Sequence, residues 1–354
     1  MTRRKAFKAR VRTQAERTGQ SYAQAAAQLG ESNPHRIPDV HTASARVVAL
    51  LRANGAELAP EVAYGIGGGI GFMYAVFVYD QVEHPLLTLV CQHHPDPWAP
   101  AILDRLAAPY ATTTRKSELR RLLGSRVPMI LGVARRCLPW LGRDEYGGEE
   151  HVVLATPTVQ GFRVTDGAGS AVLTEQDLLD GFGTARRKHP AVHLTGPVTL
   201  PEDLGPALRA GLARSVAHMT GPVLHNSFDA NFGLSGLAKW STLANGRSKK
   251  SWPTLFAGTD VWMQRLVDGI EHELTAPAAG RPLFAHSLRS AGMPESAEVF
   301  ERSGRLWREI SARAGSRRLR FDWLADQVGA IHDTEAAGIE RLRSALEAPP
   351  TSEP

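Results

Sequence analysis

The spacing of apolar and polar residues divides the chain into two regimes. Val47, Val48, Leu50 and Leu51 fall on one face of a helix that starts at His41-Thr42 and stops at Asn54-Gly55. A glycine-rich run, Tyr64 to Tyr74, then predicts a tight turn leading into an apolar, aromatic strand at Ala75–Tyr79. A strand (Leu86–Val90), a helix (Pro100–Ala107), a charged helix (Ser117–Leu123) and a strand (Val127–Ala134) follow. His151–Pro157 and Phe162–Asp166 flank Thr158–Gly161 as a β-hairpin, and Thr174 is placed to cap the next helix. Beyond Leu200 the strand signals fade. Helical spacing dominates Leu204–Met219, Ala257–Leu274, Ala297–Ala314 and Trp323–Leu346. The expected fold class is therefore α+β, with a sheet-containing domain over 34–198, an all-helical domain over 199–346 and a disordered Pro-rich tail over 347–354.

Length and composition fit this division, because 354 residues with 43% apolar content suffice for two cores. No apolar run reaches the roughly 18 residues of a membrane helix, and no secretion signal follows Met1, so a cytoplasmic protein is expected. Cys91 and Cys137 are too few for a disulfide framework and read as reduced thiols. The net charge of +5 is local. The first 20 residues hold seven basic side chains against one acid, which leaves the rest of the chain at −1. Residues 1–33 therefore read as a basic helical leader, with Arg3, Arg4, Lys5, Lys8, Arg10 and Arg12 docking an anionic partner such as an acidic carrier protein or a nucleic acid.

Several residues carry candidate chemistry. His151, held by a strand, and Asp166 on the paired strand have the arrangement of a base and the acid that orients it. Gly65-x-Gly67 and Gly67-x-Gly69 are not a dinucleotide fingerprint, since no clear strand precedes them and Asp80 is too close to serve a ribose. These glycines instead permit close backbone packing or leave room for a pantetheine arm. Cys91, His93, His94 and Asp96 are too crowded to converge on one ion without helical spacing, so no metal and no cofactor are expected.

The segment from His41-Thr42 to Leu51, with Gly65–Tyr74 behind it, resembles the opening of the butirosin-biosynthesis protein H family. The hairpin of His151 and Asp166, and the stretches Ala217–Phe228 and Phe232–Ala238, resemble later parts of that family. The resemblance covers roughly residues 34–320. It implies a degenerate papain-like N-terminal domain fused to a helical domain. It also implies an acyltransferase that moves an acyl group from a carrier-protein thioester onto a small-molecule amine to form an amide. Members usually carry His-Cys where this chain has His41-Thr42, so the nucleophile, base and acid positions fall on Thr42, His151 and Asp166. Thr42 reads first as a helix cap, and transfer without a cysteine nucleophile is direct. The candidate substrate contacts are His41, Ser44, Gly67, Gly68, Gly69, Tyr74 and Asn226, with His225 and Trp240 nearby. Two other functions fit the same residues: aminoacyl transfer from a charged tRNA, which the basic leader would serve, and a non-catalytic binding subunit that keeps the fold.

Overall fold

The computed structural model describes residues 41–80, 83–141, 150–167, 169–184 and 189–348. The expected leader (1–33) and residues 349–354 of the expected tail lie outside them. The chain is mixed α/β, with a sheet-containing N-terminal region and a helical C-terminal part. In chain order its elements are α1 (Thr42–Arg52), α2 (Pro60–Ile66), β1 (Ile70–Phe77), β2 (Leu86–Gln92), α3 (Trp98–Arg105), β3 (Tyr110–Thr113), α4 (Lys116–Gly124), β4 (Met129–Ala134), β5 (Glu150–Thr158), β6 (Gly161–Thr165) and β7 (Ser170–Leu173). They continue with α5 (Glu175–Thr184), β8 (Ala191–Leu194), α6 (Gly205–Thr220), α7 (Gly233–Ala244), α8 (Trp252–Leu255), α9 (Val261–Glu271), α10 (Arg281–Ser290), α11 (Pro294–Gly315) and α12 (Phe321–Glu347). Among the described residues no helix is long and apolar enough to cross a membrane.

Two compact units share the polypeptide. One holds residues 45–57 and 108–199, the other 41–44, 58–107 and 200–348. Each unit is therefore assembled from discontinuous segments, in place of the contiguous 34–198 and 199–346 read from the sequence. Helix α1 itself passes from one unit to the other between Ser44 and Ala45. Past its end at Arg52, Gly55, with a φ of +83°, lets Ala56 N–H turn back to the Leu51 carbonyl.

In the first unit the strands run in the order β3-β8-β4-β5-β6-β7, each antiparallel to its neighbours. One face of α4 presents Leu119, Leu122 and Leu123, and α5 presents Leu178, Leu179 and Phe182. These side chains form one core with Met129, Leu131 and Val133 of β4, Val153 and Ala155 of β5, and Phe162 and Val164 of β6. The helix α5 starts as its sequence predicts: Asp177 N–H donates to Thr174 Oγ1 (3.2 Å) and Thr174 N–H donates to Asp177 Oδ2 (2.9 Å).

In the second unit β1 and β2 pair antiparallel, and the first six residues of β1 are all buried. Because both faces of β1 are covered, its sequence lacks the alternation that marks a half-exposed strand. The strand consequently starts at Ile70, five residues before the expected Ala75. Tyr64-Gly65-Ile66, expected in a turn, close the short helix α2 instead. Phe72 and Tyr74 join a ring stack with Trp240, Trp252 and Trp307. Beside the stack, the fully buried Arg281 and Glu335 form a two-pronged ion pair at 2.7 and 2.8 Å. The remaining Arg281 donors go to the carbonyls of Cys91, Ala279 and Gly71, so all five N–H groups are satisfied.

Candidate functional site

The β5–β6 hairpin closes through Thr158 opposite Gly161, and this register sets His151 near the start of β5 and Asp166 just after β6. His151 Nε2 and Asp166 Oδ2 are 2.8 Å apart. Asp166 is buried and accepts further hydrogen bonds from Trp140 Nε1 (2.9 Å, at Oδ2) and from Gly169 N–H (2.9 Å, at Oδ1). Burial works against ionisation here. The hydrogen bonds from His151, Trp140 and Gly169 outweigh it and hold the carboxyl at about 2. An ionised acceptor fixes the ring with its proton on Nε2, which leaves Nδ1 with a free lone pair. The His151 side chain is 31% exposed. Arg46, on α1, adds its positive field at Asp166. Neither Trp140 nor Arg46 was anticipated from the sequence, and neither sits in a pattern that would have marked it.

The other expected site residues have different roles. Thr42 opens α1 and belongs to the second unit, whereas His151 and Asp166 belong to the first. The residue before Thr42 also serves the helix start: His41 Nδ1 accepts Ser44 N–H at 3.2 Å, and its Nε2 donates to Gln92 Oε1 at 2.5 Å. His41 is packed against Trp98, with ring centroids 4.0 Å apart, and Ser44 is buried as well. Tyr74 is likewise a core residue, accepting Trp252 Nε1–H at 2.6 Å, and Trp240 is fully buried. Asn226 is exposed and caps the 3-10 turn Ser227–Asn231, accepting Phe228 N–H at 2.8 Å. The leader residues Arg3, Arg4, Lys5, Lys8, Arg10 and Arg12 lie outside the described residues.

Gly67, Gly68 and Gly69 are buried and closely packed. A Cβ on each would meet Trp98, His93 and Phe284 respectively at 2.5–2.6 Å, so the run exists for close approach. It also follows a helix and precedes a strand, the reverse of a dinucleotide turn. Burial pushes the Cys91 thiol up to about 12 and raises that of Cys137 despite the nearby Arg136, so neither is a ready thiolate.

A second constellation was only half visible in the sequence. His93 follows β2, Asp96 lies three residues on, and α6 contributes Arg214 and His218 at helical i, i+4 spacing. His93 Nε2 is 3.1 Å from Asp96 Oδ2, and His218 Nε2 is 3.7 Å from the same oxygen. Arg214 donates to it from Nη2 (2.7 Å) and Nε (3.1 Å). Burial holds His93 below its ordinary value and takes His218, with help from the charges of His93 and Arg214, down to about 3. His93, Asp96 and His218 are the described residues with the donor set and spacing to hold a metal, their donor atoms all lying within 4.8 Å of one another.

No protein-family model matches the sequence, and no curated protein does.

Proposed function

We propose that the protein is an amide-forming acyltransferase in which His151 is the base and Asp166 positions it. The acyl or aminoacyl group comes from a carrier-protein thioester and goes to a small-molecule amine. One observation carries this reading: the 2.8 Å hydrogen bond between the partly exposed His151 and a buried, ionised Asp166, which leaves Nδ1 to act as the proton acceptor. The hairpin that holds the pair, and the likeness of its sequence to the butirosin-biosynthesis protein H family, support reading the first unit as a degenerate papain-like domain.

The chemistry asks little more of the protein. The amine nitrogen attacks the thioester carbonyl and forms the new C–N bond while Nδ1 takes the proton that the nitrogen sheds. Collapse of the adduct breaks the C–S bond. The departing thiolate then recovers a proton from the imidazolium, which Asp166 has stabilised in the interval. Thr42 has no activated thiol to offer, so transfer proceeds without an acyl-enzyme.

The test uses the full-length protein, acyl and aminoacyl thioesters loaded on a carrier protein, and a panel of primary amines, with products read by mass spectrometry. The wild type should form amide, and His151→Ala should lose at least about 100-fold in rate while its circular dichroism and melting temperature stay near wild type. No acyl adduct should appear on the intact protein. A well-folded His151→Ala variant with full activity would refute the assignment. Amide formed only from aminoacyl-tRNA, and abolished by ribonuclease, would replace the carrier protein as donor.

A further inference from the structure

Two imidazoles converge on one carboxylate oxygen. His93 Nδ1 lies 2.9 Å from the carbonyl oxygen of Gly67, an atom that can only accept, so Nδ1 carries a proton. Its Nε2 faces Asp96 Oδ2 at 3.1 Å. His218 approaches the same oxygen from α6. Its side chain is 3% exposed, its Nε2 has no hydrogen-bond partner, and that nitrogen points at the same Asp96 oxygen. An unpartnered buried nitrogen is destabilising unless something electropositive meets it.

We propose that His93 Nε2, His218 Nε2 and the Asp96 carboxylate bind a divalent transition-metal cation, with the Gly67 carbonyl and Arg214 as outer partners. The spacing suits such an ion. Zinc–nitrogen and zinc–oxygen bonds of about 2.0–2.2 Å in a tetrahedral shell put neighbouring donors on the order of 3.3 Å apart. The separations from Asp96 Oδ2, 3.1 and 3.7 Å, bracket that value. Two imidazoles and one carboxylate select zinc, cobalt or ferrous iron over magnesium and calcium, which prefer all-oxygen shells.

The outer partners have the roles such a site requires. Hydrogen bonding of His93 Nδ1–H to a backbone carbonyl fixes the tautomer and aims Nε2 inward. The glycine run makes this possible: at Gly68, with φ +111°, a Cβ would fall 2.5 Å from His93 Nδ1. Arg214 donates to Asp96 Oδ2 and keeps the carboxylate ionised, while the two imidazole nitrogens face that same oxygen. The side chains of Asp96 and Arg214 are 39% and 40% exposed, so an ion can arrive from solvent and keep a water on its open side. This inference stands independently of the acyl-transfer reading, since it uses none of the same residues.

The experiment uses the full-length protein, stripped with a chelator and dialysed, then titrated with Co²⁺ and with Zn²⁺ in competition with a chromophoric chelator. One ion per chain should bind, Co²⁺ should show the visible absorption of a nitrogen-ligated site, and saturation should raise the melting temperature. His218→Ala and Asp96→Asn should each weaken Zn²⁺ binding at least about 100-fold and abolish the thermal shift. Because His93→Ala removes a buried ring and could disturb folding, His93→Gln is measured beside it, with circular dichroism on all variants. Overturning results are substoichiometric binding, equal protection by Mg²⁺, or folded His218→Ala and Asp96→Asn proteins that bind Zn²⁺ as tightly as wild type.

Discussion

Replacing Glu335 by glutamine tests how the helical unit is held together. Glu335 Oε1 accepts Arg281 Nε–H, Ser303 Oγ–H and Trp307 Nε1–H at 2.7, 2.6 and 2.9 Å, and Oε2 accepts Arg281 Nη2–H at 2.8 Å. Every neighbour is a donor. A glutamine amide must therefore turn its NH2 group toward at least one other donor in either orientation, and it leaves the guanidinium buried without a counter-charge. Removing one partner of such a pair costs about 3–5 kcal/mol, which for a unit of this size lowers the melting temperature by roughly 6–20 °C. Urea unfolding followed by tryptophan fluorescence suits the measurement, because Trp240, Trp252 and Trp307 are fully buried in the same unit. Removing the exposed Arg52–Glu57 pair is the control and should leave the midpoint unchanged. The double replacement Arg281→Met with Glu335→Leu should be less damaging than either single change, since no unpaired charge remains. A Glu335→Gln loss below about 1 kcal/mol would refute the claim that the pair is desolvated and fully engaged.

The helix start and the candidate base give two further tests. His41→Ala removes a cap, a buried hydrogen bond to Gln92 and a ring contact with Trp98. It should cost about 2–4 kcal/mol in urea unfolding, more than Thr42→Ala, and the reverse ranking would make Thr42 the stronger cap. Asp166 has a folded value of about 2, below the ordinary carboxylate near 4, so its contribution is present above about pH 4 and lost as pH falls toward 2. The wild type should accordingly exceed Asp166→Asn by about 2 kcal/mol at pH 6, by roughly half of that at pH 3 and by much less at pH 2. A gap independent of pH would show that the ionised carboxylate is not its source.

The hairpin was legible because alternation and a two-residue turn act over a few neighbouring residues, and the same turn sets the register that joins His151 to Asp166. The strands β3, β7 and β8, four residues each, are too short to print a period. Helix α2 was hidden by Gly65, a poor helix former that is tolerated because its missing side chain admits Leu208 and Ser287. The His93 constellation failed for another reason. Crowding within residues 91–96 argues against convergence only while no other element is considered, and α6 arrives more than a hundred residues later with Arg214 and His218 on one face. The burial of His41 and Tyr74 is not legible in the sequence, because polar and aromatic side chains near glycines look the same whether they line a cleft or satisfy one another in a core.

The interleaving of the two units has a consequence during synthesis. Residues 58–107 leave the ribosome well before 200–348, with all of residues 108–199 between them, so the β1–β2 ribbon emerges long before its covering helices. Phe72 and Tyr74 wait for Trp240 and Trp307, which at 5–20 residues per second means an interval on the order of ten to fifty seconds. Throughout it, an apolar ribbon with open edges is available to chaperones and to neighbouring nascent chains on the same message, while the intervening sheet unit can already close its own core.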